Sequence, residues 1–175
     1  MVIWITGLSG AGKTTLCRAL WQELKSRCPE LVCLDGDAVR AAFGHDLGYR
    51  ESDRRMQIQR LQRLAQLLAE QGLVVLVAAL YSHPELLAWN RQNLREYFEI
   101  YLKASTDTLR RRDAKGLYRE AAAGMRPHVV SVDIPWHAPD APNLVIDVDN
   151  APSPEVCARQ VISALPRLSF ASRTR

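Results

Sequence analysis

Apolar residues along the chain fall into two alternating patterns, short continuous runs and stretches in which they recur every three or four positions. The first pattern predicts buried strands, and the second predicts helices that cover them. Val2 to Thr6 is a branched apolar run and reads as a strand; Leu16, Leu20 and Leu24, with Ala19 beside them, then mark a helix from about Lys13 to Lys25. Leu31 to Leu34 is a second strand, followed by a short helix near Ala38 to Phe43 and a loop from His45 to Arg50. A long helix is expected from Ser52 to Glu70. Ile58, Leu61, Leu64 or Ala65, and Leu68 form its core face, while Arg54, Gln57 and Arg60 lie along a neighbouring polar one. Gly72 stops it, and Leu73 to Ala79 is apolar enough for a central parallel strand covered on both sides. Pro84 to Tyr97 predicts a further helix, Phe98 to Leu102 a strand, Thr106 to Arg112 a helix start, Leu144 to Val148 a last strand and Ser153 to Leu165 a last helix.

Four or five strands joined by helices give an α/β fold, a doubly wound and mainly parallel sheet in an α/β/α sandwich of three layers. The segment 113–143 breaks the rhythm with Gly116, Gly124, Pro127, Pro135, Pro139 and Pro142, and carries Lys115, Arg119 and Arg126. That punctuation with basic residues predicts a lid over an anionic ligand. Residues 1–168 read as a single domain and 169–175 as a C-terminal tail. A length of 175 residues with 47% hydrophobic and 24% charged residues fits one globular domain and excludes a disordered or fibrous chain.

The net charge of +4 is spread along the chain and is densest at Arg110, Arg111 and Arg112. No basic stripe is interleaved with aromatics, so the charge points to a local site for a small anion and not to nucleic acid. Cys17, Cys28, Cys33 and Cys157 form no Cys-x-x-Cys pair, which fits reduced thiols of a cytoplasmic protein better than zinc ligands. No window is apolar for the length of a span, and Met1-Val-Ile-Trp-Ile5 carries no basic leader, so no membrane partner is expected.

The strongest chemical signal is Gly7-Leu-Ser-Gly-Ala-Gly-Lys-Thr14, a complete G-x-x-x-x-G-K-[ST] phosphate loop between a predicted strand and a predicted helix. Such a loop turns successive backbone N–H groups toward a phosphate, and the helix N-terminus adds further donors. Gly7, Ser9, Gly10, Ala11, Gly12, Lys13, Thr14 and Thr15 are therefore candidate nucleotide-binding residues of a P-loop NTPase domain. Lys13 is expected to reach the β- and γ-phosphates and Thr14 to hold Mg²⁺. No Asn-Lys-x-Asp guanine-reading element is present, and a small-molecule kinase fits the chain better than a GTPase. Asp35 and Asp37 leave the second strand at the edge where open sheets bind ligands. One carboxylate is expected to steer a metal-bound water and the other, by preference Asp37, to accept the proton of an attacking hydroxyl. The alternative is that Asp35 caps a turn or helix and Asp37 is merely exposed.

Gly7 to Thr15, Leu34-Asp-Gly-Asp37 with Val39-Arg40, Asp46-Leu-Gly-Tyr49, Asp53-Arg54 and Arg112-Asp-Ala-Lys-Gly-Leu-Tyr118 together resemble the adenylyl-sulfate kinase family, over about residues 2 to 165. The resemblance implies transfer of the γ-phosphate of ATP, with Mg²⁺, to the 3′-hydroxyl of adenosine 5′-phosphosulfate in sulfate assimilation. It implies that Arg40 and Arg54 bind the acceptor's anionic group, that Lys115 approaches from the lid, that Asp37 contacts the reacting hydroxyl and that Arg112 lines the donor side. Two arginines suit an anion clamp on general grounds as well, since guanidinium binds oxyanions bidentately. A homodimer is compatible with the resemblance, although no periodicity locates its interface.

The chain also departs from the family pattern. Gln57 stands in the run Gln57-Ile-Gln-Arg60 where the family has Asn, and Leu80-Tyr81-Ser82 replaces an Ile-Ser-Pro element. Of the family's two phenylalanines that clamp the base, one is Tyr49 here and the other Val129. Each stacking partner of a base contributes about 1–3 kcal/mol, so the loss of one ring bears on which base is accepted. Val130-Ser-Val-Asp-Ile134 and Trp89-Asn-Arg-Gln-Asn93 look more like a side branch that acts on a cytidine-diphosphate-linked phosphoramidate in surface-polysaccharide modification, with Arg91 as an extra anion contact. Adenylyl sulfate is the leading acceptor, the cytidine compound the alternative, and a non-catalytic ATP-binding sensor a third reading. His83, His128 and His137 read as turn or surface residues, and Trp136 as a residue open to contact with the lid.

Overall fold

The computed structural model describes residues 1–113, 116–151 and 153–165. Among these residues the strands β1 (Val2–Thr6), β2 (Leu31–Asp35), β3 (Val74–Ala79), β4 (Tyr97–Lys103) and β5 (Leu144–Asp147) form one sheet in the order β2-β3-β1-β4-β5. Every pairing in it is parallel. The helices are α1 (Lys13–Leu24), α2 (Gly36–Ala42), α3 (Glu51–Glu70), α4 (Pro84–Asn93), α5 (Thr106–Arg111), α6 (Leu117–Ala122) and α7 (Pro154–Ala164).

Side chains that alternate along β1 divide the core in two. Ile3 and Ile5 face the side where Leu16, Leu20 and Leu24 of α1 pack with Ala158 and Val161 of α7. Val2 and Trp4 face the opposite side, against Ile58, Leu61 and Ala65 of α3 and Leu86 of α4. This is the three-layer α/β/α arrangement expected from the apolar pattern. No described helix is long and apolar enough to cross a membrane.

Several element bounds differ from the sequence reading by a residue or two, α2 beginning at Gly36 and not near Ala38, and two differences are larger. The helix expected to continue to Tyr97 ends at Asn93, because Leu94 leaves helical dihedrals and Glu96 takes a left-handed φ of 49°. Tyr97 then opens β4 and pairs with Val2. The segment read as a lid contains α6, and Val129, Val130 and Ile134 anchor it in the core, the first in one hydrophobic layer and the other two in the opposite one. Lys115 and the tail 169–175 lie outside the described residues.

Strand order reverses direction at β1, whose neighbours β3 and β4 come from opposite halves of the sheet. In an open parallel sheet the crevice at such a point, beyond the C-terminal strand ends, is where ligands bind.

Candidate active site

The loop after β1 is shaped by close approach. A Cβ on Gly7 would lie 2.7 Å from the Leu102 carbonyl oxygen, so only glycine lets the chain turn there against β4. Gly12, at φ 97°, opens α1 in a left-handed conformation with no side-chain cap. A glycine at this position offers the first N–H groups of α1 no side-chain cap, which is the arrangement that suits a bound anion. Lys13 Nζ donates to the carbonyls of Gly7 (2.8 Å) and Leu8 (2.9 Å) and folds back over the loop.

Beside the loop, Thr14 Oγ1 donates to Asp35 Oδ2 at 2.6 Å. The other carboxylate oxygen of Asp35 accepts from the N–H groups of Asp37 (3.0 Å) and Ala38 (3.3 Å) and caps α2. Asp35 is thus both the helix cap weighed in the sequence and a neighbour of the threonine hydroxyl. Asp37 lies in the first turn of α2, not on the strand, and faces the same cleft.

That cleft has a volume of about 460 Å³. Ser9, Gly10, Gly12, Lys13, Thr14 and Thr15 form its floor, with Arg112, the residue that ends α5, at one side. Asp35, Asp37 and Arg40 line it from the β2–α2 junction, Tyr49 from the loop before α3, and Arg54 and Gln57 from the first turns of that helix. Leu80, beyond β3, and Val129 complete the wall. Gly7 and Ala11 lie beneath this surface, the first as an acceptor for Lys13 and the second with its methyl group buried.

The arginines are more deeply placed than amphipathic patterning suggests. Arg40 is only 5% exposed, and its Nη1 donates to the carbonyls of Leu47 (2.9 Å) and Gly48 (2.8 Å). Arg54 donates from Nε to the Tyr49 carbonyl at 3.0 Å and from Nη2 to the His128 carbonyl at 2.7 Å. Both guanidinium groups approach the Tyr49 ring, at 5.0 and 5.6 Å from its centroid. Burial, and then the charge of Arg40, push the pKa of Arg54 below its ordinary value. A pair of like charges, one buried and one half-buried, at one wall of a cleft is an electrostatic demand for an anion.

Gln57 Nε2 donates to the Gly36 carbonyl at 3.1 Å and ties α3 to the start of α2. Arg91 is not brought to the cleft. It pairs with the buried carboxylate of Glu99 at 3.0 Å and with Asp140 at 2.9 Å, on the far side of α4. His83 caps α4 and meets the His137 ring edge-on at 5.0 Å, and Trp136 packs toward Tyr101. None of these three lines the cleft.

Among the cleft residues that the sequence reading left without an assigned contact, Tyr81, Tyr118, Arg126 and His128 bring polar groups. Tyr81, 3% exposed, donates its hydroxyl to Glu51 at 2.6 Å, and burial followed by that carboxylate raises its pKa to about 12. Tyr118 donates to the Ser9 carbonyl at 3.0 Å, so α6 is fastened to the phosphate loop. Arg126 and His128 enter from the segment that follows. A signal for Tyr118 was present, in the Lys-Gly-Leu-Tyr element; Tyr81 was marked only as part of Leu80-Tyr81-Ser82, where the chain departs from the family's Ile-Ser-Pro element.

A family model described as Adenylylsulphate kinase matches residues 1–147. The adenylyl-sulfate kinase of Geotalea uraniireducens is 42% identical over 153 residues, covering 84% of this chain and 72% of that protein. That of Deinococcus deserti is 41% identical over 148 residues, covering 85% and 82%. Among solved structures, the Mycobacterium tuberculosis APS kinase in complex with AMPPNP and APS superposes with a TM-score of 0.84 at 33% identity, covering 94% of this chain and 96% of that one. Shikimate kinase from Aquifex aeolicus, at 14% identity and a TM-score of 0.61, shares the fold alone.

Proposed function

This chain belongs to the adenylylsulphate kinase family, and we propose on that footing that it transfers the γ-phosphate of ATP to the 3′-hydroxyl of adenosine 5′-phosphosulfate, giving 3′-phosphoadenylyl sulfate and ADP. It is an ATP-dependent phosphotransferase with an alcohol acceptor. The observation that carries the reading is the single cleft in which the phosphate loop of Lys13 and Thr14 faces the paired guanidinium groups of Arg40 and Arg54. The cytidine-linked alternative is not favoured, because likeness to adenylyl-sulfate kinases over most of the chain outweighs departures confined to a few short elements.

In this reading Lys13 exchanges the carbonyls of Gly7 and Leu8 for the β- and γ-phosphates of ATP, and Arg112 lines the donor side. The adjoining Thr14 hydroxyl and Asp35 carboxylate are hard oxygen donors of the kind that Mg²⁺ takes together with phosphates and water. Held by Thr14 and Asp35, Mg²⁺ would supply positive charge against the phosphates of ATP. Asp37 accepts the proton of the 3′-hydroxyl as that oxygen attacks the γ-phosphorus. Arg40 and Arg54 hold the oxyanions of the phosphosulfate, and Tyr49 stacks on the base with Gln57, Leu80 and Val129 as the surrounding wall. Lys115 is assigned by resemblance to the lid side of the acceptor. Phosphoryl transfer of this kind draws its rate from positioning and charge stabilisation, which is what the cleft provides. A reaction that spends ATP and feeds sulfate assimilation fits a cytoplasmic location.

An acceptor screen tests the assignment. With ATP and Mg²⁺, kcat/KM is compared for adenosine 5′-phosphosulfate, a cytidine-diphosphate-linked phosphoramidate and simple adenosine and cytidine nucleotides, with the product identified. At least about tenfold preference for adenosine 5′-phosphosulfate is expected. The reverse ranking would move the enzyme to the cytidine branch, and ATP binding without any phosphorylated product would leave a sensor.

A further inference from the structure

We propose that Asp133 is a positioning residue of the acceptor site, which touches no substrate and fixes Arg54 through the backbone of His128. The inference rests on the reading of Arg54 as an anion contact for the acceptor.

The loop around Asp133 is built around one carbonyl. The oxygen of Val129 accepts from the N–H groups of Val132 (3.0 Å), Asp133 (3.1 Å) and Ile134 (3.2 Å), while Ser131 N–H donates to Ile134 (2.8 Å). Val129, Val130 and Ile134 are each less than 10% exposed, so the loop is pinned where it enters and where it leaves. Two non-glycine residues take left-handed conformations here, His128 just before the first pin at φ 65° and Ser131 between the pins at φ 74°. Such dihedrals persist for side-chain-bearing residues only where surrounding contacts over-determine them.

Asp133 supplies those contacts at His128. Its two carboxylate oxygens each accept one backbone N–H, Oδ2 from His128 and Oδ1 from Val129. Although partial desolvation opposes it, donation from these N–H groups holds the Asp133 carboxyl below its ordinary pKa. With its N–H fixed, His128 directs its carbonyl oxygen at Arg54 Nη2, 2.7 Å away. Arg54 Nε is held at the same time by the Tyr49 carbonyl. One carboxylate outside the core thus sets a carbonyl, the carbonyl sets a guanidinium, and the guanidinium and Tyr49 set the acceptor wall.

The proposal makes a prediction opposite in sign to simple electrostatics. Asp133 is a negative charge close to a site for an anionic acceptor, so deleting the charge alone would tighten acceptor binding. If Asp133 acts by positioning, Asp133→Asn must weaken it. Asparagine offers one acceptor oxygen where two are used and turns an NH₂ toward one of the N–H groups. Asp133→Glu retains the charge and moves both oxygens off the loop by one methylene. Both variants change an exposed side chain.

The experiment measures steady-state kinetics with adenosine 5′-phosphosulfate and ATP for wild type, D133N, D133E, Arg54→Ala and the D133N/R54A double variant, with melting temperatures alongside. D133N and D133E are expected to raise the acceptor KM about tenfold, with kcat, the ATP KM and the melting temperature little changed. In the R54A background D133N is expected to add nothing further, since residues acting through one contact are not additive. An acceptor KM that is unchanged or lower in D133N, while R54A raises it, would overturn the positioning role. A D133N effect of full size in the absence of Arg54 would overturn the route through His128. An R54A variant with wild-type acceptor KM would remove the premise, and the inference with it.

Discussion

Lys13 has two backbone carbonyls as partners in a loop already shaped by its glycines, so its removal takes away charge without opening the core. Lys13→Ala is expected to cut phosphate transfer by at least about 10²-fold. ADP formation with acceptor present checks the loss, and circular dichroism checks that the fold survives. Asp37→Asn keeps the size of the side chain and removes the proton acceptor. Its kcat should fall by about 10²–10⁴-fold with little change in ATP affinity, and a loss below threefold would return Asp37 to an ordinary first-turn carboxylate. At this scale the phosphate loop was legible in the sequence because its function resides in backbone geometry that the glycine spacing dictates. Arg40 was legible as an arginine near a ligand but not as a buried one. Its burial comes from the carbonyls of Leu47 and Gly48, and no side-chain pattern reports where carbonyls point. Tyr118 reaches Ser9 across 109 residues, a contact that only the closed chain creates.

Arg91 shows how an element can be read correctly and its side chain assigned to the wrong neighbourhood. The helix containing it was foreseen, but the side chain leaves α4 toward β4 and the 140–143 turn. There Glu99 is fully buried; its carboxylate accepts from Arg91 and from the Tyr97 hydroxyl, and its backbone N–H donates to Asn143 Oδ1. Asn90 and Gln62 extend the same chain of hydrogen bonds into α4 and α3. Burial raises the pKa of Glu99, with Arg91 and Tyr97 opposing the rise. Arg91→Ala is therefore expected to leave the acceptor and ATP constants near wild type and to cost about 3 kcal/mol of stability, the low end for a buried pair because Arg91 is partly exposed. The sign of the pH dependence follows from the raised pKa. Folded Glu99 holds its proton to higher pH than the unfolded chain does, so stability falls as pH rises through that range, and more steeply once Arg91 is gone. Melting curves for both proteins between pH 5 and pH 8 check this. The lid segment was read from its glycines and prolines, which mark where regular structure stops. They say nothing of the buried Val129, Val130 and Ile134 that fasten it, because three apolar residues within a turn-rich stretch have no period to detect.

The order of strands could not be read from the chain, but its outcome could. A phosphate loop between a first strand and a first helix, with apolar strands to follow, has one common solution in a parallel sheet with right-handed crossovers. Ligand binding joins the parts of that solution, since α1, β2, α5 and the segment after α6 all border the cleft. ADP at a hundred times its Kd should stabilise the whole domain by about 2.7 kcal/mol, raising the melting temperature by about 5–10 °C. A thermal scan with and without ADP checks this, and an unmoved transition would argue against a donor site in the cleft. The central place of β1 also sets a timetable. Val2 pairs with Val75 on one side and Tyr97 on the other, so the most buried strand is synthesised long before either neighbour. At ribosomal rates that wait is roughly 5–20 s. During it, Val-Ile-Trp-Ile-Thr presents two unpaired edges and two apolar faces, and the phosphate loop has no β4 to turn against. The nascent chain therefore cannot hold ATP while most of it is being made, and its greatest exposure to mispairing comes before the activity exists.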